Sequence, residues 1–451
     1  MDQSQKPKTE VGQSPEKKQR TSRFPGFYKL DVWERLDKLA DWYPLTTKEK
    51  WTLKNETLTA EQADVMVENV IGVFGLPLGV AVNFRINDKD YVIPMAVEET
   101  SIVAACSNLA KLIRENGRLT ASAPHAIMEG QVQLVNPQDP QQAAKDIMEA
   151  KERLLLLANR QDPTLVSLGG GAKDLSVRHL DTESGPMLIV HLAVDVVDAM
   201  GANAVNTMVE TLGPVLGEIA KAEVVCQIIS NLCDKSLVRA RLEIDPACLK
   251  TKIFDGMTVA QRVVKAYHFA DADPYRAATH NKGIMNGIDA VLIATGNDWR
   301  AVEAGAHAYA AHTGRYRSLT KYRIEGGKLI GEIEVPIAVG VVGGVGKLHR
   351  GVEILLRLMG MPSRRELAEV VATVGLVQNL AALKALVTEG IQEGHMTLHA
   401  RNVAYSAGAI GDLAIAVAEQ MIKEGRIRFD RAREILKKKL SHKAETPGNG
   451  Q

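Results

Sequence analysis

Between residues 126 and 245 the hydrophobic pattern changes period several times, and each change marks an element. Val132 and Leu134 alternate with polar neighbours, which predicts a short half-buried strand. Asp139-Pro140 then supplies an N-cap and a first helical residue, followed by Ala144, Ile147, Leu154 and Leu157 at helical spacing. Strand-like runs at 174–179 and 187–194 flank a turn containing Ser184-Gly185-Pro186. A second helix, roughly 200–222, leads into the apolar run 224–229. In order these are β-α-β-β-α-β, the split βαβ arrangement of ferredoxin-like domains. The next strand, 237–244, turns Val238, Ala240, Leu242 and Ile244 to one face and Arg239, Arg241 and Glu243 to the other.

The flanks read differently. Residues 61–73 are helical in pattern, with strand candidates after them at 80–84 and 91–94. Beyond the module lie a long segment (258–325) and a Gly/Val-rich strand (333–342). A helix opened by the capping box Ser363-Arg364-Arg365-Glu366 then runs toward Gly390, long and apolar enough to be a central helix. Residues 395–440 read as two or three amphipathic helices. The expected fold is α+β and not a Rossmann fold. A large, mostly helical domain (23–125 and 232–388) surrounds the central helix, a ferredoxin-like domain (126–231) is inserted in it, and a helical region (389–451) ends the chain. Residues 1–22 and those from Ser441 onward read as frayed tails.

Composition narrows the function classes. The 451 residues carry 55 Lys and Arg against 54 Asp and Glu, a net charge of +1. No global basic field is available for nucleic acid or an anionic membrane. Aromatic residues at 4% argue against base stacking as the main business. No uninterrupted apolar run reaches the roughly 18–20 residues of a membrane span, and the amino terminus lacks the apolar stretch of a signal peptide. Cys106, Cys226, Cys233 and Cys248 form no Cys-x-x-Cys pair and lie in apolar stretches. They predict buried free thiols in a reducing cytoplasm.

Several constellations carry chemistry. Gly169-Gly170-Gly171 and Gly343-Gly344-Val345-Gly346-Lys347 match neither a dinucleotide fingerprint nor a P-loop, and tight turns account for each. Asp198-Ala199-Met200-Gly201-Ala202-Asn203 falls where a strand gives way to a helix. There Asp198 can cap, and a helix N-terminus with Gly201 is suited to a pyrophosphate as much as to an ordinary cap. Thr279 to Asp289 reads as a dense polar loop around Lys282, which can polarise a carbonyl oxygen or simply be solvated. Arg276 can grip a carboxylate. Glu98-Glu99 stand at a strand-to-helix junction, where they serve the helix dipole or, if buried, donate a proton. His395 and His399 have zinc-like spacing without the intervening acid, so no metal is expected, and a single histidine as proton donor fits better.

Taken together, Glu68-Asn69-Val70-Ile71-Gly72, the Glu98-Glu99 segment, 198–203, 276–289, Gly296-Asn297-Asp298-Trp299-Arg300 and 389–402 resemble the class II, soluble prokaryotic 3-hydroxy-3-methylglutaryl-coenzyme A reductases. The resemblance covers roughly 25–440, in the family's order and spacing. It implies two successive hydride transfers from a nicotinamide cofactor to a thioester, giving mevalonate and coenzyme A, or the reverse in catabolism. Lys282 is then the stabiliser of the alkoxide, Asp298 its charge partner, Glu99 the proton donor and acceptor, and His395 the acid that protonates the thiolate. Glu68, Ser101, Arg276 and Asn286 hold substrate, while Asp198, Met200, Gly201 and Asn203 bind the cofactor. Asp162 faces the adenosine ribose, where an acid favours a 2′-hydroxyl, so NADH is preferred. Arg160 keeps NADPH open.

The same resemblance implies a homodimer with active sites at the subunit boundary and a mobile C-terminal flap from about residue 390. The large domain holds coenzyme A and the inserted one the dinucleotide. Thr100 departs from the proline common at that position. The mechanism expects the ammonium of Lys282 to be buried. Two rivals are weaker. A ferredoxin-like RNA-binding module needs exposed aromatics where these strands have Val, Ile, Leu and Arg. An acyl-coenzyme A enzyme without redox chemistry leaves 198–203 unexplained.

Overall fold

Three N-terminal helices each begin with a capping box: α1 (Val32–Trp42) on Asp31, α2 (Thr47–Lys54) on Thr46 and α3 (Ala60–Asp64) on Thr59. They belong to a computed structural model that describes residues 20–343, 348–388 and 390–444, without the side chains of 391–398 and 442–444. The chain continues through β1 (Leu78–Ile86), β2 (Lys89–Ala96), α4 (Ile102–Asn116) and β3 (Gly117–Ser122). Next come β4 (Ile127–Val135), α5 (Pro140–Glu149), α6 (Lys151–Asn159), α7 (Pro163–Ser167), β5 (Gly171–Thr182), β6 (Gly185–Asp195), α8 (Ala202–Ala220) and β7 (Glu223–Ser230). These eight form a unit with sheet order β5-β6-β4-β7, antiparallel throughout. Its core packs Met128, Val132 and Leu134 of β4 against Val205, Met208 and Leu212 of α8. Asp139 caps α5 with Pro140 at its first position, and Ala150 divides the expected single helix into α5 and α6.

Around this unit lies a second architecture. It contains β8 (Leu237–Ile244), α9 (Gly256–Ala272), α10 (Pro274–Ala294), α11 (Trp299–Ala310), β9 (Thr320–Glu325), β10 (Lys328–Pro336), α12 (Arg350–Leu358) and α13 (Arg364–Val387). Strands from both flanks join in a six-stranded sheet of order β2-β1-β3-β8-β10-β9. Only β1 and β3 pair in parallel, at Ile86 and Leu119. The region is therefore not mostly helical. The short β3 and the polar β9 lacked a hydrophobic alternation, and they pair because neighbouring strands supply the ladder. The expected strand at 333–342 leaves the ladder at Pro336, which has no N–H to donate, although Ile337, Ala338 and Val339 stay buried.

Helix α13 is the axis of the main core, opened by the expected capping box of Ser363 and Glu366 and buried on nearly all sides. It is the described helix long and apolar enough to cross a membrane, and here its apolar surface is filled by protein. It crosses α10 closely: a Cβ on Gly375 would lie 2.8 Å from Cγ1 of Ile288. That contact fixes α10, and with it Lys282, against the centre of the molecule.

The chain ends in α14 (Ile391–Ser406), α15 (Asp412–Lys423) and α16 (Phe429–Ala444), which share a separate small core of Ala400, Ala404, Ala409, Val417, Met421 and Ile435. The structure corrects four further expectations. The helix at 61–73 stops at Asp64, because Val65, Val67, Ile71 and Phe74 are exposed and give a longer helix no apolar surface to pack on. Ser22 is no tail residue: it is fully buried, and its hydroxyl donates to Phe84 O at 2.9 Å. Ser441 lies inside α16. Cys106 and Cys233 are buried, but Cys226 is exposed on the edge strand β7, since its neighbour Gln227 takes the face under α8. Residues 1–19, 344–347, Glu389 and 445–451, with the rest of both tails and most of the second glycine cluster, lie outside the described residues.

Candidate active site

The stretch from Thr279 to Asp289 is a helix, not a loop. His280 and Asn281, polar in sequence, are buried on α10 because tertiary partners satisfy them. The amide of Asn281 donates to Arg317 O (2.8 Å), and its carbonyl oxygen accepts from Leu319 N (3.0 Å). His280 Nε2 lies 2.7 Å from the Thr320 hydroxyl, which donates to Asn379 Oδ1 on α13 (3.0 Å), where Tyr322 OH also donates (2.9 Å). The network locks α10 between β9 and α13.

Lys282 rises from this fixed helix and meets Glu99, which sits between β2 and α4, with Nζ 2.5 Å from Oε2. One turn on, Asn286 Nδ2 donates to the same oxygen at 3.2 Å. Two residues after Glu99, Ser101 opens α4 at φ 75°, a left-handed conformation unusual for a residue with a side chain. The turn that presents the acid thus carries backbone strain. The Lys282 side chain is 59% exposed and that of Glu99 34%, so the ammonium expected to be buried is not. Among the described residues no element covers it.

Between β6 and α8, the 198–201 loop ends at Gly201, φ 94°, which precedes α8 with no side-chain cap among the described residues. A Cβ there would lie 2.2 Å from Cγ1 of Val196, so only glycine fits. Among the described residues no side chain accepts from the first N–H groups of α8, which can meet an anion. Asp198 does not cap α8 as expected. Its carboxylate turns instead to the start of α13 and accepts from Arg364 N at 3.2 Å.

Comparison with known proteins decides what family these features serve. The family described as Hydroxymethylglutaryl-coenzyme A reductase matches residues 31–400. The chain belongs to this family. An HMG-CoA reductase of Archaeoglobus fulgidus is 51% identical over 419 residues, 93% of this chain and 95% of the relative. A solved HMG-CoA reductase from Streptococcus pneumoniae superposes with a TM-score of 0.79 at 41% identity, covering 92% of this chain and 99% of that one. A class II HMG-CoA reductase of the same organism, bound to NADPH in open conformations, gives 0.78 at 43% identity, covering 81% and 99%. The two-sheet α+β architecture is therefore that of the solved HMG-CoA reductases, and the chain is an oxidoreductase.

The remaining residues expected of an HMG-CoA reductase are placed unevenly. Asp298 caps α11, accepting from Ala301 N at 3.1 Å, with Arg300 Nε 3.7 Å away. Its expected partner, Lys282, is bonded to Glu99 instead. The N-cap requirement of α11 turns the Asp298 carboxylate along that helix. Arg276 is half-buried one turn before His280, and burial lowers its pKa. Glu68 is exposed in the irregular segment after α3. Asp162 caps α7, accepting from Leu165 N at 2.8 Å. His395 lies on α14, and its side chain is outside the described residues.

Sequence reasoning passed over three groups. Burial and the nearby Arg276 push the pKa of His280 down to about 3, and its Nδ1 has no partner among the described residues. Burial and the Glu303 carboxylate on α11 raise that of Asp289 to about 8. The third is Arg364, which looked like an ordinary helix-start residue. Polar residues inside an otherwise helical spacing were the available signal for the first two.

Proposed function

We propose that the chain reduces 3-hydroxy-3-methylglutaryl-coenzyme A to mevalonate and coenzyme A, and that Glu99, Lys282 and Asn286 mark the reaction centre. The observation that carries this is the Lys282 ammonium held by a carboxylate from a distant segment at an open face of the chain. A bound nicotinamide dinucleotide supplies hydride. In balance, one thioester takes up two hydrides and two protons and yields one primary alcohol and one thiol.

The thioester oxygen turns negative as its carbon accepts the first hydride, and Lys282 stabilises that charge. Glu99 gives a proton to this oxygen and takes it back as the C–S bond of the hemithioacetal breaks. His395, on the first C-terminal helix, protonates the departing thiolate and prevents its return. The aldehyde left behind accepts the second hydride at the same oxygen site, and Glu99 supplies the proton of the alcohol. Ser101, Arg276 and Asn286 hold the hydroxyl and carboxylate of the substrate, with Glu68 at the margin. Tuning of Lys282 stays the part of Asp298, at the N-cap of α11, as the resemblance implies.

The dinucleotide suits Asp198, Met200, Gly201 and Asn203, since the uncapped start of α8 can receive a pyrophosphate. We assign residues 126–231 to dinucleotide binding, 23–125 with 232–388 to the substrate and its coenzyme A, and 389–451 to a closing flap. The separate core of α14–α16 supports the last. Asp162 favours a 2′-hydroxyl and hence NADH, with NADPH usable beside Arg160. The exposed apolar run Val65, Val67, Ile71 and Phe74 supports a homodimer whose second copy covers both this surface and Lys282. A cytoplasmic enzyme fits all of this.

The decisive experiment mixes the enzyme with the acyl-coenzyme A and either NADH or NADPH and follows the absorbance of reduced nicotinamide. Loss of absorbance, faster with NADH, is expected. Silence with both dinucleotides overturns the reading. His395→Ala should slow thioester reduction far more than reduction of free mevaldehyde, because only the former expels a thiolate.

A further inference from the structure

Arg364, the first residue of α13, is a cation almost without access to water, at 3% exposure. Its Nη1 donates to His125 O at 2.8 Å and its Nη2 to Ile337 O at 3.4 Å, while Nε has no partner among the described residues. Burying a guanidinium with one nitrogen unpaired is costly, so something must offset it. The charges facing it are the carboxylates of Asp195 and Asp198, at the two ends of the segment that joins β6 to the loop before α8.

Backbone bonds make the direct attachment to this loop. Arg364 N donates to Asp198 Oδ1 (3.2 Å), and Val341 N donates to Asp198 O (3.0 Å). A Cβ on Gly340 would lie 2.5 Å from Met200 N, so the 337–341 segment presses directly on the loop. Gly340 N in turn donates to Asn297 Oδ1 (2.8 Å), in the turn just before Asp298. His125 lies between β3 and β4, where the chain passes from one sheet to the other. One buried side chain therefore grips the crossing point and the 337–341 segment, and that segment presses on the 198–201 loop.

We propose that Arg364 is a positioning residue for the dinucleotide: acting through the 337–341 segment, it fixes the 198–201 loop so that the start of α8 meets the bound dinucleotide in one orientation. The proposal rests on the reading of 198–203 as the dinucleotide loop. Arg364 is too buried to touch the dinucleotide itself. Its effect is confined to how well the loop is pre-formed, which governs binding more than the hydride step.

The test is steady-state kinetics of the full-length enzyme carrying Arg364→Ala, Arg364→Lys or Asn203→Asp. Arg364→Ala should raise the KM for dinucleotide at least about tenfold, with the KM for acyl-coenzyme A and kcat each within about threefold. Arg364→Lys, which keeps the charge and loses the fork, should fall between it and the wild type. Free guanidinium ion should restore part of the dinucleotide affinity of Arg364→Ala and none to the wild type. Asn203→Asp places a negative charge on the exposed first turn of α8 and tests the loop reading itself by raising the dinucleotide KM.

An impaired Asn203→Asp beside an Arg364→Ala with wild-type dinucleotide KM overturns the clamp and leaves the loop reading standing. An unimpaired Asn203→Asp overturns the loop reading and the clamp with it. Parallel loss in both KM values and kcat assigns Arg364 to stability alone and also overturns the clamp. Should Arg364→Ala not fold, Arg364→Lys and Asn297→Ala carry the same prediction at smaller size.

Discussion

Lys282 and Asp198 are held in opposite ways. Lys282 stands on α10, where eleven of 21 residues are buried and a four-residue polar network pins the helix to β9 and α13. Asp198 lies in a loop without regular structure, held from behind by single backbone hydrogen bonds from α13 and the 337–341 segment. The first arrangement suits the fixed charge that the proposed oxyanion site needs, and the second holds the start of α8 in place through a few contacts made from behind. Damage to the rigid mount should therefore appear in kcat, and damage to the loop in the dinucleotide KM.

The largest effect should come from Lys282→Ala, with kcat reduced on the order of 10²–10³-fold or more and both thioester and mevaldehyde reduction lost. Loss of the thioester step alone would break the assignment of one oxyanion site to both hydrides. Gly201→Val should come next. Its side chain meets Val196 in a left-handed backbone, at about 1–3 kcal/mol of strain, and the dinucleotide KM should rise while turnover of enzyme already saturated changes little. A drop in kcat as large as that of Lys282→Ala would erase the contrast. Asn286→Ala removes one hydrogen bond to the Glu99 carboxylate and should lower kcat about tenfold, with melting temperature nearly unchanged.

The smallest effect concerns Asp289 on the rigid helix. Its folded pKa of about 8 lies above that of a free aspartate, so the folded state keeps a proton that the unfolded chain releases. Stability should be greatest below the ordinary aspartate range and decline as pH rises through the folded value. Asp289→Asn should flatten the fall of melting temperature between about pH 5 and about pH 8. An unchanged slope would remove Asp289 from the α10–α11 contact as a titrating group.

How much of this was readable beforehand follows from the same contrast. β8 and the unit from β4 to β7 follow the sequence closely, because alternation and caps there are local signals, as with Asp139-Pro140 before α5. The capping box of Ser363 and Glu366 likewise announced α13. Helix α10 was mistaken for a loop because His280 and Asn281 are satisfied by Thr320, Arg317 and Leu319, far away in sequence. The family was legible from its motifs, but how the proposed site residues pair was not. Glu99 rather than Asp298 holds Lys282, and Asp198 faces α13 rather than its own helix. Those choices depend on elements that meet only after folding.

The core shared by α14, α15 and α16 is built largely from alanine, with Ala400, Ala404, Ala409, Ala414, Ala418 and Ala432 among its buried residues. Methyl groups of that size remove little area from water, so these helices cohere by close backbone approach more than by hydrophobic mass. Amide protons of this region should exchange with solvent sooner than those of α13, and a protease should nick the chain between the two before the rest of the molecule opens.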